Sequence, residues 1–231
     1  MNALEVTRAH VSYGDSRIIE DVSLHIAESE SVALMGRNGM GKTTLMKALI
    51  GLLPIDSGSI RVGNVDVGSF PSHKRVEAGM AYVPQGRMIF PYLTVEENLL
   101  AGMETVEEKV IPDFVYDVFP VLKEMRSRRG GNLSGGQQQQ LAIARALVSR
   151  PKVFLLDEPT EGIQPSIIKD IAKTLNELRA EFGFALLVTE QALNFALDTA
   201  DRFLIIERGR IAHEATRENV NEAEIRSYLT I

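Results

Sequence analysis

Gly36-Arg37-Asn38-Gly39-Met40-Gly41-Lys42-Thr43-Thr44 decides how this chain is read. The stretch satisfies G-x-x-x-x-G-K-[ST] in full, and its flanks agree with it. Ser31-Val32-Ala33-Leu34-Met35 ahead of it is an apolar strand, and Thr44 to Ile50 behind it has helical character. Strand, glycine loop and helix together separate a P-loop from an ordinary glycine turn. Glycines let backbone N–H groups turn inward around an anion, and a helix N-terminus adds partial positive charge. In such a loop Lys42 reaches the β- and γ-phosphates and the Thr43 hydroxyl can ligate Mg²⁺. Thr44 either joins the phosphate contacts or continues the helix.

Composition narrows the surroundings. The 231 residues carry 25 Lys and Arg against 31 Asp and Glu, a net charge of −6, which weighs against a nucleic-acid binder working through bulk positive charge. With no cysteine there is neither a disulfide framework nor thiolate chemistry. Met1-Asn2-Ala3-Leu4-Glu5 lacks the basic-then-apolar order of a signal peptide. No apolar run approaches the roughly 20 residues that span a bilayer, so a membrane role requires a partner.

Outward from the loop, Leu4–Tyr13 and Ile18–Ile26 alternate and predict an antiparallel hairpin beside the P-loop strand. Ile60–Val67 predicts a second hairpin turning at Gly63-Asn64, and Ala81-Tyr82-Val83-Pro84-Gln85 a strand that ends by presenting a glutamine. Residues from about Met88 to Ser149 read as helical, an inserted subdomain. Val153–Leu156 and Phe184–Val188 are apolar on both faces, as strands of a parallel sheet are. Pro165 opens a helix with Ile167, Ile168, Ile171, Ala172, Leu175 and Leu178 on one face. Phe203–Ile206 and Arg210–His213 follow around Gly209, and Asn219–Ile231 predicts a closing helix.

Two further motifs carry chemistry. Leu155-Leu156-Asp157-Glu158 ends a buried strand on two carboxylates, at the end that faces the ligand crevice of a parallel sheet. Asp157 is placed to hold Mg²⁺ through its water shell, and Glu158 to deprotonate a water aimed at the γ-phosphate. Leu133-Ser134-Gly135-Gly136-Gln137 opens a helix that Ser134 can cap, leaving the N–H groups of Gly135 and Gly136 as a second anion site. Either both sites grip one nucleotide within the chain, or the second grips a nucleotide held by a partner; spacing does not choose.

These three motifs together resemble the ATPase subunits of ABC transporters, over essentially the whole chain. The resemblance implies an α/β fold: a P-loop NTPase core (about 1–86 and 151–231), an N-terminal antiparallel β region, and a helical subdomain (about 87–150) carrying the signature. It implies ATP and Mg²⁺ as ligands, bound by Tyr13, Gly36 to Thr44 and Ser134 to Gln137. It also implies head-to-tail dimers in which each ATP lies between one P-loop and the opposite signature. Tyr13 resembles the aromatic that stacks on adenine; as a bare residue it is also an ordinary strand-end tyrosine. Gln85 resembles the glutamine that touches Mg²⁺ or the attacking water. The resemblance further implies two membrane-spanning permease subunits and a second, related ATPase, with a homodimer when isolated. A periplasmic solute-binding protein would act indirectly, and the chain would lie on the cytoplasmic face of the inner membrane.

Two positions depart from that pattern. Gln191 stands where the family usually has a switch histidine, with none of the four histidines nearby, and Gln164 stands where an aspartate is common. Glutamine donates a hydrogen bond but carries no charge, so both departures weigh against equal, symmetric hydrolysis. Glu190-Gln191-Ala192 resembles the shorter ATPase of branched-chain amino acid importers. Gln137 to Gln140 with Glu161 to Ile168 is similar to the second ATPase of urea importers, which favours urea over branched-chain amino acids or short amides. Met88-Ile89-Phe90-Pro91-Tyr92-Leu93 reads equally as a socket for a permease helix and as subdomain core, while Arg126, Arg128 and Arg129 read as a solvated face. A soluble ATP-gated clamp is the rival class; one cassette, no extra arm and an acidic balance weigh against it. A regulatory subunit of low turnover is a third reading, which Gln191 favours and Glu158 opposes.

Overall fold

The computed structural model describes residues 1–230; Ile231, the end of the expected closing helix, lies outside the described residues. The chain opens with β1 (Asn2–Tyr13), β2 (Ser16–Ala27), β3 (Ser31–Met35) and α1 (Lys42–Leu49). Next come β4 (Ser57–Val62), β5 (Val65–Asp66), α2 (Ser72–Glu77) and β6 (Met80–Val83). Four helices follow: α3 (Val95–Ala101), α4 (Asp113–Val118), α5 (Pro120–Glu124) and α6 (Gly135–Leu147), with a 3-10 turn at Gly130–Asn132. The last part is β7 (Val153–Asp157), α7 (Pro165–Phe182), β8 (Ala185–Glu190), α8 (Leu193–Thr199), β9 (Arg202–Glu207), β10 (Arg210–Thr216) and α9 (Glu222–Leu229).

The strands form two sheets. β2-β1-β4-β5 is antiparallel throughout, and β10-β9-β3-β8-β7-β6 is parallel except for its β9–β10 edge pair. The P-loop strand β3 therefore pairs with β8 and β9, not with the N-terminal hairpin beside which the sequence set it. Alternation along β1 and β2 states which face is buried, but not which strand edge is bonded. A strand apolar on both faces, like β3, needs parallel neighbours with the same property, and β8 and β9 supply them.

Side chains of these strands divide strictly by parity, because successive residues point to opposite faces. Val32 and Leu34, Val153 and Leu155, Ala185 and Leu187, and Leu204 and Ile206 pack toward the antiparallel sheet and α1. Ala33 and Met35, Phe154 and Leu156, Leu186 and Val188, and Phe203 and Ile205 pack toward the helices, among them Leu141, Ile143, Ile171 and Leu175. The six-stranded sheet is thus the middle layer of three. On α7, Ile171, Ala172, Leu175 and Leu178 are buried as the periodicity predicts, while Ile167 and Ile168 are half-buried.

The short helices α2 and α8 are not evident from the sequence, and α2 carries the largest surprise. Its Arg75 is 1% exposed. Nη1 donates to the carbonyls of Ala48 and Leu49 at 2.7 and 2.8 Å, closing the C-terminal end of α1. Nε and Nη2 donate to the carbonyls of Phe70 and Gly68, each at 2.9 Å. Burial pulls the guanidinium pKa down, and the charge of Asp66 opposes that shift. A cation at a helix C-terminus is favoured by the exposed carbonyls there, so the P-loop helix is held at its far end by one side chain. Arg75→Met should leave these buried carbonyls unpaired and cost on the order of 3 kcal/mol. Thermal denaturation would show Tm falling by roughly 6–12 °C for a chain of this size; a fall of under about 2 °C would mean the carbonyls do not depend on Arg75.

Candidate active site

The register of the parallel strands brings four chain segments to one edge. Met35 lies opposite Glu190, Asp157 opposite Thr189, and Leu156 opposite Val83. The residues that follow, Gly36, Gln191, Glu158 and Gln85, leave adjacent strands at their C-terminal ends, the ligand crevice of an open parallel sheet.

The P-loop bends back on itself so that Lys42 is nearly enclosed, 4% exposed. Its Nζ donates to the carbonyl of Gly36 at 2.7 Å and of Arg37 at 3.2 Å, and lies 3.0 Å from Glu158 Oε1. Gly41, at φ +108°, is the N-cap of α1, and no side chain caps the helix. The first-turn N–H groups of Lys42, Thr43 and Thr44 therefore have no intrahelical acceptor. That uncapped end beside a buried ammonium is a fitting cradle for phosphate oxygens. The loop is braced from outside: the N–H of Gly209 donates to the Met40 carbonyl at 3.1 Å, and that of Arg208 to Met40 Sδ at 3.4 Å. The carbonyl of Gly209 in turn accepts from Glu20 N–H at 2.9 Å. At φ +77°, Gly209 approaches so closely that a Cβ there would lie 2.0 Å from the Ile18 carbonyl oxygen.

The two carboxylates differ in environment. Asp157 is buried and accepts from three hydroxyls: Thr189 at 2.5 Å, Tyr82 at 3.2 Å and Thr43 at 3.3 Å. Burial pushes its pKa up, the hydroxyls pull it back, and Glu158 adds to the rise. Neutral donors do not cancel a buried charge as a cation would. The Asp157 carboxylate with the Thr43 hydroxyl is a hard oxygen pair that suits Mg²⁺, with phosphate oxygens and water completing its shell; among the described residues no cluster of three or more acidic, His or Cys side chains offers an all-protein site.

Glu158 turns the chain back at φ +45°, left-handed for a residue with a Cβ, which costs on the order of 1 kcal/mol. Its carboxylate meets Lys42, Gln85 Nε2 at 3.2 Å and Gln191 Nε2 at 3.1 Å. Gln191 Nε2 also donates to Asn38 Oδ1 at 2.8 Å, and Gln85 Nε2 to Glu161 Oε2 at 3.0 Å. Glu190 is buried and accepts from the N–H groups of Thr160, Gln191 and Ala192 at 3.0–3.1 Å, with burial pushing its pKa up. It fixes the backbone at Gln191.

Other predicted residues stand apart. Ser134 and Gln137 form a capping box, Ser134 N–H to Gln137 Oε1 at 2.9 Å and Gln137 N–H to Ser134 Oγ at 3.4 Å. Gly136 sits against Ile167 of α7. Among the described residues no hydrogen bond joins Ser134–Gln137 to the P-loop. Tyr13 ends β1 opposite Ser16, 46% exposed. The sequence reading missed Tyr82, Thr189, Glu190, Glu161 and the Met40–Gly209 brace. Tyr82 and Thr189 carried a weak signal, as polar groups one to three residues from the end of an apolar strand.

Asp157 yields a stability prediction. Its folded pKa lies above the reference 3.8, so the ionised form penalises folding at neutral pH, and the penalty fades as pH falls through the folded pKa. Asp157→Asn should raise Tm near pH 7, with the gain shrinking as acid protonates the wild-type carboxyl. A gain that grows in acid would contradict the assignment.

With this geometry in view, comparison with known proteins is direct. The ABC transporter family model matches residues 19–161. The high-affinity branched-chain amino acid transport ATP-binding protein BraG of Pseudomonas aeruginosa is 42% identical over 216 residues, 92% of each chain. The lipopolysaccharide export system ATP-binding protein LptB of Haemophilus influenzae is 36% identical, over 97% of this chain and 95% of that one. A crystal structure of the ADP conformation of an ATP-binding cassette of an ABC transporter superposes with a TM-score of 0.81 at 28% identity, covering 99% of this chain and 95% of that one. The chain that gathers the P-loop, Asp157 and Glu158 in one crevice belongs to the ATP-binding subunits of ABC transporters.

Proposed function

We propose that this subunit binds Mg²⁺-ATP at Gly36–Thr44 and hydrolyses it to drive solute import through separate membrane permeases. The observation that carries the chemical reading is the Glu158 carboxylate, held by Lys42, Gln85 and Gln191 at the strand edge. The three donors of Lys42 are taken by two loop carbonyls and Glu158, so a turn toward the phosphates gives up some of these partners. When its ammonium turns to the β- and γ-phosphates, Glu158 keeps its two amide donors and becomes free to take a proton from water as that water attacks the γ-phosphorus. Thr43, Gln85 and Asp157 would hold Mg²⁺, which would neutralise phosphate charge. Gln191 contacts the γ-phosphate side of the site with a hydrogen bond where a histidine could add charge. Tyr13 packs on the adenine, and Ser134, Gly135, Gly136 and Gln137 complete the site of a partner cassette.

We infer the partners in the same way: a second, related ATPase, two permeases, and indirectly a periplasmic solute-binding protein, with this subunit peripheral on the cytoplasmic face of the inner membrane. Among the described residues no helix is long and apolar enough to cross a bilayer. Met88, Phe90 and Tyr92 are exposed, which supports a socket over a buried core for this stretch. Met88 and Phe90 border a groove of about 810 Å³ with His73, Val76, Tyr82 and Arg145, room for a helix from a permease.

For the solute, the BraG likeness favours branched-chain amino acids. Urea is the second reading, carried by Gln137–Gln140 and Glu161–Ile168. Hydrolysis by the detergent-solubilised assembly with its solute-binding protein should rise with leucine or valine and stay flat with urea; stimulation by urea alone would reverse the order. Glu158→Gln should bind ATP with near wild-type affinity while turnover falls by roughly a hundredfold or more. Undiminished hydrolysis would remove Glu158 from its role.

A further inference from the structure

Three functional segments meet at a residue that none of the motifs includes. Arg87 lies two positions beyond Gln85, in the turn between β6 and the helical stretch. Gly86, Arg87 and Met88 have φ of +79°, +69° and +46°, so two consecutive residues with side chains hold the left-handed conformation. Such strain persists only where its surroundings enforce it. Here the N–H of Arg87 donates to the Pro84 carbonyl at 3.1 Å, that of Met88 to the Gly86 carbonyl at 2.7 Å, and Arg145 of α6 donates through Nη2 to the Met88 carbonyl at 2.8 Å.

The turn aims the Arg87 side chain at the other two segments. Its Nη2 donates to the Glu161 carbonyl at 3.2 Å, in the loop between Glu158 and α7. Gln85 grips the side chain of that same Glu161. The guanidinium also lies over the start of α6: a Cβ on Gly135 would be 3.3 Å from Nη2, and one on Gly162 3.6 Å from it. The Gln85 turn, the loop after Glu158 and the signature thus share one rigid, forked group with five donors.

We propose that Arg87 is a positioning residue: it fixes the loop 160–164 against the first residues of the signature helix, so that Glu158 of one half-site and the signature serving the other keep a common register. This rests on the reading that Ser134–Gln137 completes a partner's site. Among the described residues no hydrogen bond or ion pair joins Arg87 to the P-loop, so its effect belongs to the closed, catalytic arrangement and not to the first encounter with nucleotide.

Steady-state hydrolysis by the assembled transporter, with Tm measured alongside, tests this on Arg87→Ala, Arg87→Gly and Arg87→Lys, with Glu158→Gln as comparator. Arg87→Ala and Arg87→Gly should each lower kcat by roughly tenfold, leaving KM for ATP within about twofold. Arg87→Lys, whose compact ammonium keeps the charge but lacks the planar fork, should recover part of the loss. Glycine relieves the left-handed strain, so Arg87→Gly should be no less stable than Arg87→Ala. If Arg87→Gly keeps wild-type kcat while Glu158→Gln is inactive, the side chain does no positioning and the proposal falls alone. If kcat, KM and Tm move together in all three variants, Arg87 only supports the fold and the proposal is likewise overturned. If Glu158→Gln hydrolyses normally, the catalytic role given to Glu158 fails first; if Ser134→Arg, run beside it, does so, the composite-site reading fails first.

Discussion

One carboxylate sets the terms for this structure. Glu158 is nearly enclosed and stands among Lys42, Gln85 and Gln191, each carried by a different segment. A buried anion is tolerated only when its partners are held firmly, so each segment must arrive at its place within a fraction of an ångström. The parallel register of β3, β8, β7 and β6 accomplishes this. The parity of the apolar residues, clamped between two layers, accomplishes the register: a one-residue slip of any strand would exchange its two faces.

The site is arranged with tension in it. Asp157 bears a charge that burial disfavours, and its neighbours are hydroxyls, not cations. Glu158 occupies a left-handed backbone conformation, and so do Arg87 and Met88 beside Gln85. The apolar layers on both faces of the sheet offset these costs, and a divalent cation bound as proposed would relieve the Asp157 charge that the hydroxyls leave uncompensated.

Much of this was legible in sequence because the signals are local. The P-loop, the Asp157–Glu158 pair at a strand end, and the alternation of β1 and β2 each follow from a few contiguous residues. What escaped depends on contacts between distant residues. The hairpin's place in a separate sheet is decided by strand edges, which carry no periodic mark. Arg75 reads as an ordinary surface arginine until α2 folds it under α1. Thr189, Tyr82 and Glu161 become site residues only when neighbouring strands align. The signature was recognised as a motif, yet within one chain its capping box closes only on its own helix.

Gly209 has a consequence for how the molecule's parts report on one another. The hairpin β9–β10 lies at an edge of the sheet, where strands fray first, yet its turn supplies two of the bonds that shape Met40 in the phosphate loop. A ligand that orders the loop must therefore also order the edge, and by the same free energy an ordered edge must tighten the ligand. With the nucleotide seated on this loop as proposed, the C-terminal margin of the sheet would belong to its grip, and a pull on that margin would be read out at the phosphates.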